Sequence, residues 1–116
     1  MLKSIYYFID ERGKNPVKEF IEKLPLKEQA KIFAYLGELR KQGHNLRRPM
    51  SDYLYEGIYE LRPRDSRIFY FFSLHEVVIL LHAIRKKTDK IPGGDMQICL
   101  KRKNQVEAAG NIEKLD

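Results

Sequence analysis

Positively charged side chains collect around three consecutive apolar runs in the middle of this 116-residue chain. Arg62 and Arg67 stand on either side of a turn sequence that begins at Pro63, and Lys86 and Lys87 follow the third run. Two guanidinium groups held close together can bind a phosphate and the negative charge that develops on it during a reaction. We therefore expect phosphate chemistry without a metal at these strand ends. The alternative for each arginine is an ordinary salt bridge with a nearby acid: Glu56, Glu60 or Asp65.

The positive charge is concentrated in the same part of the sequence. The net charge is +6, and residues 40–90 carry eleven Lys and Arg against six Asp and Glu, which accounts for +5 of it. Such a local excess favours a polyanionic partner. Tyrosines beside it can stack on bases, although a tyrosine within a strand is more often part of the core. The further candidates for contact with a nucleic acid are Arg47, Arg48, Arg64, Arg85, Lys90, Tyr59 and Tyr70.

The sequence lacks the motifs of the common metal-dependent and covalent mechanisms. It has no Gly-rich phosphate loop, HExxH motif or nucleophile elbow, and its three histidines lack the spacing of metal ligands. We therefore expect neither a metal nor another cofactor. His82 lies inside the third run, where a histidine is more often a hydrogen-bonded core residue than a catalyst, and both roles stay open.

The three runs predict consecutive antiparallel strands, because they are rich in aromatic and β-branched residues and are separated by short polar breaks. The third run is apolar at both alternating positions from Val77 to Leu81, which predicts a central strand covered on both faces. Residues 3–9 form a similar run near the N-terminus, which predicts a first strand.

Three helices are predicted around these strands. Asn15 followed by Pro16 is a typical helix start, and a second helix from about residue 26 to residue 42 ends at Gly43. A last helix extends from residue 95 to about residue 109. The side chains expected to be buried are Val17, Phe20, Ile21 and Leu24 in the first helix, Ile32, Phe33, Leu36 and Leu39 in the second, and Met96, Cys99, Leu100 and Val106 in the last.

The order βααβββα predicts an α+β fold, with one mainly antiparallel sheet, an N-terminal helical hairpin on one face and a C-terminal helix. Residues 1–110 are predicted to form a single domain, and residues 111–116 a disordered tail. One cysteine excludes an internal disulfide, and no apolar run approaches the roughly 20 residues that span a bilayer. With no signal-peptide pattern either, we expect a cytoplasmic protein that does not bind a membrane.

The segments YEGIYELR, RIFYFF, VILLHAIRKKT and KIP, in this order, resemble the HigB-like, phage-derived branch of the RelE/ParE toxin superfamily. The opening NPVKEFIEKLP is similar to the first helix of the same group, and the resemblance extends over about residues 3–107. It implies a RelE-like fold and the toxin of a type II toxin–antitoxin system. Most such toxins are ribosome-dependent, metal-free endonucleases of messenger RNA. Each is held inactive by a cognate antitoxin, usually a helix-turn-helix protein in this branch, within a toxin–antitoxin hetero-oligomer.

The resemblance also implies roles for particular residues in an attack of the ribose 2′-hydroxyl on the adjacent phosphate. Arg62 is the arginine of YELR, Arg67 opens the next strand, and Lys87 is the second lysine of KKT. The resemblance thus implies that Arg62 and Arg67 hold the phosphate and that Lys86 or Lys87 is a further cation or proton donor. It identifies no general base, for which His82 and a lysine with a lowered pKa both stay open.

Two other functions stay open, because one fold can carry several activities. The ParE branch of the superfamily inhibits DNA gyrase, and such an inhibitor would not need Arg62, Arg67 and Lys87 to converge. A phage-derived nucleic-acid-binding protein without toxicity would bind RNA or DNA with a strong salt dependence and would yield no cleavage products.

Overall fold

The computed structural model of the chain describes residues 3–73, 77–86 and 93–115. This part contains six strands and three α-helices. The strands are β1 Ile5–Phe8, β2 Ser51–Tyr55, β3 Ile58–Leu61, β4 Ser66–Phe72, β5 Val78–Arg85 and β6 Ile112–Lys114. The helices are α1 Pro16–Glu22, α2 Leu26–Gln42 and α3 Gly93–Ala109. The predicted α+β class is confirmed, and the structure has two strands more than the predicted order.

All six strands belong to one sheet with the order β2-β3-β4-β5-β1-β6. β1 runs parallel to β5, whereas every other neighbouring pair is antiparallel. Val78, Ile79, Leu80 and Leu81 of β5 are buried. The prediction that the third apolar run forms a central strand covered on both faces is therefore confirmed.

Helices cover both faces of the sheet. The hairpin of α1 and α2 packs on one side, which we call the hairpin face, and α3 packs on the other, which we call the α3 face. The buried core of the hairpin face includes Ile5, Val17, Ile21, Ile32, Leu36, Leu39, Leu61, Ile68, Tyr70, Val78 and Leu80. The buried core of the α3 face consists of Phe8, Ile58, Phe69, Phe71, Ile79, Leu81, Met96, Cys99 and Val106. The prediction that Phe33 is buried is wrong, because Phe33 is 41% exposed.

The predicted helix boundaries follow from local chemistry. The side chain of Asn15 accepts a hydrogen bond from the N–H of Lys18 at 3.1 Å, and Pro16 occupies the first turn of α1. α2 begins after Pro25 and ends at Gly43, which has a φ of 53°. A residue at positive φ ends the helix most easily when it has no Cβ, so Gly43 fits this position.

The first of the three apolar runs forms two strands instead of one. Glu56 and Gly57 both have positive φ, at 55° and 80°, and make the tight turn between β2 and β3. Two consecutive residues with positive φ are typical of a two-residue β-hairpin. This turn was not predicted from the sequence, because glutamate is uncommon at positive φ. The dipeptides that indicate a two-residue hairpin turn are Asn-Gly and Asp-Gly.

The prediction of a disordered tail is also wrong for residues 112–115. Ile112–Lys114 form β6, which pairs antiparallel with β1, and Leu115 is 7% exposed within the core of the hairpin face. The segment is ordered because it supplies the sheet with an edge strand and the core with an apolar side chain. No helix in the described part of the chain is long and apolar enough to cross a bilayer.

Candidate active site

Four residues form a row across the α3 face toward one end of the sheet. Asp52 of β2 pairs with Glu60 of β3. Glu60 pairs in turn with Phe69 of β4, and Phe69 pairs with His82 of β5. Side chains that pair directly across strands point to the same face, and Phe69 belongs to the core beneath α3. The row therefore places two carboxylates and one imidazole on the α3 face.

Glu60 lies between the two arginines that the sequence singled out. Its Oε2 is 3.9 Å from Nε of Arg62, and its Oε1 is 3.7 Å from Nε of Arg67. The Arg62 side chain is 29% exposed, against 10% for Glu60 and 8% for Arg67. The structure thus brings Arg62 and Arg67 together, and it places one of their alternative salt-bridge partners between them.

The guanidinium of Arg67 is fixed by the turn that precedes it. Its Nη1 donates hydrogen bonds to the backbone carbonyls of Arg64 and Ser66, each at 2.8 Å. Burial lowers the pKa of Arg67, and the neighbouring Glu60 carboxylate counteracts this effect. An arginine stays charged under these conditions. Arg67 is therefore a fixed positive charge at the floor of the site, and Arg62 is the more accessible one.

Lys86 belongs to the same group of charges. Burial raises the pKa of Glu60, and the charges of Arg67, Arg62 and Lys86 lower it. The backbone N–H of Lys86 donates to the carbonyl of Asp65 at 2.6 Å, which ties the end of β5 to the turn between β3 and β4. We call Glu60, Arg62, Arg67 and Lys86 the Glu60 cluster. It combines three cations with one carboxylate.

A second ion pair lies beside this cluster toward the edge of the sheet. Nη2 of Arg48 is 2.7 Å from Oδ2 of Asp52. This hydrogen bond lowers the pKa of Asp52, and the charge of Arg62 acts in the same direction. Arg48 thus lies beside the Glu60 cluster, where it is paired with Asp52 of the edge strand β2.

His82 faces α3 because β5 contains one extra residue in its pairing with β4. Phe69 pairs with His82 and Tyr70 pairs with Leu80, so Leu81 bulges out of the register. A bulge redirects the side chains that follow it. Leu81 and His82 therefore point to the same side, and the imidazole stacks on Phe69 with 5.9 Å between the ring centroids.

Both ring nitrogens of His82 are engaged. Nε2 lies 2.7 Å from Oδ1 of Asp95, and Nδ1 lies 3.2 Å from Nη1 of Arg102, which also donates to the carbonyl of Leu81 at 2.9 Å. Because arginine can only donate, Nδ1 accepts and Nε2 carries the proton. Burial lowers the pKa of His82, which favours the neutral ring. His82 therefore connects β5 to α3, and both of its ring nitrogens already have protein partners.

Several predicted nucleic-acid contacts belong to the other face. Tyr70 is 1% exposed, hydrogen-bonds with Ser51, and has a pKa that burial raises to about 12. Tyr59 stacks on Tyr70 with 5.4 Å between the ring centroids. The prediction that Tyr70 stacks on a base is wrong, because its ring is enclosed in the core of the hairpin face. Tyr59 is half-buried on the same face, away from the Glu60 cluster.

The remaining candidates are dispersed. Arg47 donates to the carbonyl of His44, and Arg85 forms an ion pair with Glu28 of α2 at 2.8 Å. These contacts place both arginines toward the hairpin face. Arg64 is exposed in the turn between β3 and β4, close to the Glu60 cluster. Two further predicted residues lie outside the described part of the chain: Lys87 and Lys90.

A second basic surface was not anticipated from the sequence. The register of β1 with β5 ends at Tyr7 and Leu80, and a groove opens beside the rest of β5. Its charged and ionisable lining residues are Asp10, Lys14, Glu19, Lys23, His82, Arg85 and Arg102. They come from three separate segments of the chain, so no local motif reveals them. Among residues 3–73, 77–86 and 93–115, no three His, Cys, Asp or Glu side chains are placed to hold a metal ion.

Comparison with known proteins identifies a family. A sequence model described as "Phage derived protein Gp49-like (DUF891)" matches residues 19–104 of the chain. The matched segment extends from α1 into α3 and contains the whole Glu60 cluster as well as His82. No curated protein matches the chain.

Proposed function

Because the chain belongs to the Gp49-like family of phage-derived proteins, which is a RelE/toxin-like family, we propose that it is the toxin of a type II toxin–antitoxin system. Within the RelE/ParE superfamily we assign it to the HigB-like branch. The proposed activity is the cleavage of messenger RNA on the ribosome without a metal ion.

The Glu60 cluster is the observation that carries this proposal. Arg62 and Arg67 lie 3.9 Å and 3.7 Å from the Glu60 carboxylate on one face of the sheet, and the charge of Lys86 acts on the same carboxylate. In phosphoryl transfer, negative charge builds up on the non-bridging oxygens, and cations that are already in place stabilise it without reorganisation. A convergent group of fixed cations is therefore what a metal-free nuclease requires. A toxin that acts only by binding another protein has no such requirement.

In the proposed reaction the ribose 2′-hydroxyl attacks the adjacent phosphorus, and the bond from phosphorus to the 5′-oxygen breaks. Arg62 contacts the non-bridging oxygens, and the buried Arg67 supplies a fixed charge beneath them. Lys86 donates a proton to the leaving 5′-oxygen. Arg48 and Arg64 flank the cluster and bind neighbouring phosphates of the RNA backbone. The products are a 2′,3′-cyclic phosphate and a 5′-hydroxyl.

The proposed partners are messenger RNA in the ribosomal A site and a cognate antitoxin of the helix-turn-helix type. The toxin binds the RNA through the basic α3 face. The antitoxin neutralises the toxin within a hetero-oligomer, as the resemblance to this branch implies.

The test is induction of the chain in growing bacteria, with and without the neighbouring open reading frame, followed by mapping of messenger-RNA 5′ ends. We expect growth arrest and new cuts in translated messages that keep a fixed phase with the codons. The Arg62→Ala variant should produce neither effect, and co-expression of the neighbouring gene should suppress both.

Other outcomes would identify the competing functions. Growth arrest with intact messages and relaxed or broken DNA would identify a gyrase inhibitor. Absence of arrest, combined with RNA binding that weakens steeply with salt, would identify a nucleic-acid-binding protein.

A further inference from the structure

We propose that Glu60 is the general base of this cleavage reaction and accepts the proton of the attacking ribose 2′-hydroxyl. The inference rests on the proposed function, and it assigns the one role that neither the sequence nor the family resemblance could fill.

The Glu60 carboxylate is attracted by the charges of the neighbouring arginines and remains able to accept hydrogen bonds. Its oxygens lie 3.9 Å and 3.7 Å from the Nε atoms of Arg62 and Arg67. Both distances exceed the range of about 2.7–3.2 Å for an N–H···O hydrogen bond. Within the described residues, no hydrogen bond reaches this carboxylate. Each oxygen thus keeps lone pairs for an incoming hydroxyl donor.

The other candidate bases on the α3 face, Asp52 and His82, already form hydrogen bonds with protein groups. Asp52 shares a 2.7 Å hydrogen bond with Arg48, which lowers its pKa and makes it a weaker base. His82 uses Nε2 toward Asp95 and Nδ1 toward Arg102. Glu60 differs because burial raises its pKa, so its carboxylate is a stronger proton acceptor.

The position of Glu60 also suits the substrate. A phosphate bound by Arg62 and supported by Arg67 lies directly beside a carboxylate that is less than 4 Å from both guanidinium groups. The 2′-hydroxyl that attacks is attached to the ribose carbon next to the one that bears this phosphate. A base that removes its proton must therefore stand beside the phosphate-binding cations, and Glu60 does.

The proton transfers balance. The ionised Glu60 takes the proton from the 2′-hydroxyl while the 2′-oxygen forms its bond to phosphorus. The bond from phosphorus to the 5′-oxygen breaks, and the 5′-oxygen receives a proton from Lys86. The cluster thus ends with a protonated glutamate and a neutral lysine, and exchange of both protons with water restores it.

The experiment is single-turnover cleavage of a short messenger RNA on purified ribosomes by the complete chain, measured across pH. Glu60→Gln removes the base but keeps the shape of the side chain, and Glu60→Asp keeps a carboxylate. Glu56→Gln is the matched control, because Glu56 is exposed in the nearby turn between β2 and β3. We expect Glu60→Gln to slow cleavage by about a hundredfold or more. It should also abolish the fall in rate at acidic pH, whereas Glu56→Gln should behave like the unmodified chain.

A substrate with a sulfur in place of the bridging 5′-oxygen separates the base from the acid, because a thiolate leaves without a proton. The defect of Glu60→Gln should persist on this substrate, and the defect of Lys86→Ala should shrink. If Glu60 only positions the arginines, Glu60→Gln will weaken substrate binding and keep the acidic limb of the pH profile. Such a result would overturn the assignment.

The two proposals fail in different ways. If the unmodified chain does not cleave the programmed message, the proposed function is wrong and the base assignment fails with it. If the unmodified chain cleaves and a folded Glu60→Gln variant cleaves within about threefold of its rate, well short of the loss expected for a missing base, only the base assignment fails. If Glu60→Gln unfolds below the assay temperature, Glu60→Asp becomes the test. If Glu60 is the base, Glu60→Asp should still cleave, and its rate should still fall at acidic pH. Loss of that fall would contradict the assignment.

Discussion

Two groups of charged side chains on the α3 face have similar compositions and different bonding. The Glu60 cluster combines one carboxylate with three cations, and its contacts of 3.7 and 3.9 Å are longer than hydrogen bonds. The second group, which we call the His82 clamp, consists of His82, Asp95 and Arg102. Its contacts of 2.7 and 3.2 Å occupy both nitrogens of the imidazole, and Arg102 also donates to a backbone carbonyl at 2.9 Å.

This difference supports the proposal that the Glu60 cluster is reactive, whereas the His82 clamp is structural. In the His82 clamp each polar atom of the imidazole has a protein partner, so the clamp joins α3 to β5. In the Glu60 cluster the two arginines lie too far from the carboxylate for hydrogen bonds, and the carboxylate keeps free lone pairs. The cations can bind a phosphate, and the free lone pairs of the carboxylate can accept a hydrogen bond from a hydroxyl. The predictions below test this distinction, beginning with the largest expected effect.

Arg62→Ala and Arg67→Ala should both reduce single-turnover cleavage by at least about a hundredfold, since each removes a cation that stabilises the transition state. They should differ in stability. Arg62→Ala removes a loose, partly exposed ion pair and should change the free energy of unfolding by less than about 1 kcal/mol. Arg67→Ala leaves the buried Glu60 without its closest cation and two carbonyls without a donor, and should cost about 3 kcal/mol.

Urea denaturation of both variants beside the cleavage assay checks this contrast. Arg12→Ala, in the exposed loop after β1, is the control and should leave both quantities unchanged. Equal stability of Arg62→Ala and Arg67→Ala would show that Arg67 is not the fixed member of the pair.

His82→Ala should reverse this pattern, with a loss of stability and little loss of activity. It removes the partner of Asp95 and the acceptor of Arg102, and should lower the free energy of unfolding by about 2 kcal/mol. Cleavage below the melting temperature should stay within a few-fold of the unmodified chain. Asp95→Asn, which retains an acceptor for Nε2, should cost less. A loss of cleavage comparable to that of Arg62→Ala would restore His82 as a candidate base.

The sequence predicted the elements that depend on local patterns. The apolar run of β5, the Asn15-Pro16 start of α1 and the glycine after α2 each carry their own signal. The missed features depend on contacts between distant segments. β6 is a three-residue strand that exists because β1 offers it an edge, and its own residues do not distinguish it from a frayed end.

The site was partly predictable for the same reason. Arg62 and Arg67 are five residues apart across one turn, so hairpin geometry alone brings them together. The proposed role of Glu60 depends on its burial between them, and the position of His82 depends on the bulge at Leu81 and on α3. Neither burial nor a bulge has a signal in the residues nearby, so the sequence leaves the base open between His82 and a lysine.

The His82 clamp should also give the protein a stability that falls as the pH drops below 6.5. The pKa of His82 in the folded chain lies below its ordinary value of 6.5. Between these two pKa values the unfolded chain binds more protons than the folded chain, so the free energy of unfolding rises with pH. Denaturation of the unmodified chain and of His82→Ala at several pH values from about 5.5 to 8 should show this slope only in the unmodified chain. Parallel curves for the two proteins would assign the pH dependence elsewhere.

Arg64→Ala should have the smallest effect, and it tests where the Glu60 cluster ends. Arg64 is exposed in the turn whose carbonyl holds Arg67, and that bond involves the backbone, which the substitution keeps. We therefore expect unchanged stability and an unchanged rate at saturation, together with an affinity for RNA that falls a few-fold. If Arg64 neutralises one phosphate, the slope of log affinity against log salt should decrease by about 0.7. Lys27→Ala, exposed on α2, should leave that slope unchanged, because α2 covers the opposite face of the sheet. An equal decrease in both variants would mean that RNA binding follows the net charge of the chain and is not confined to the α3 face.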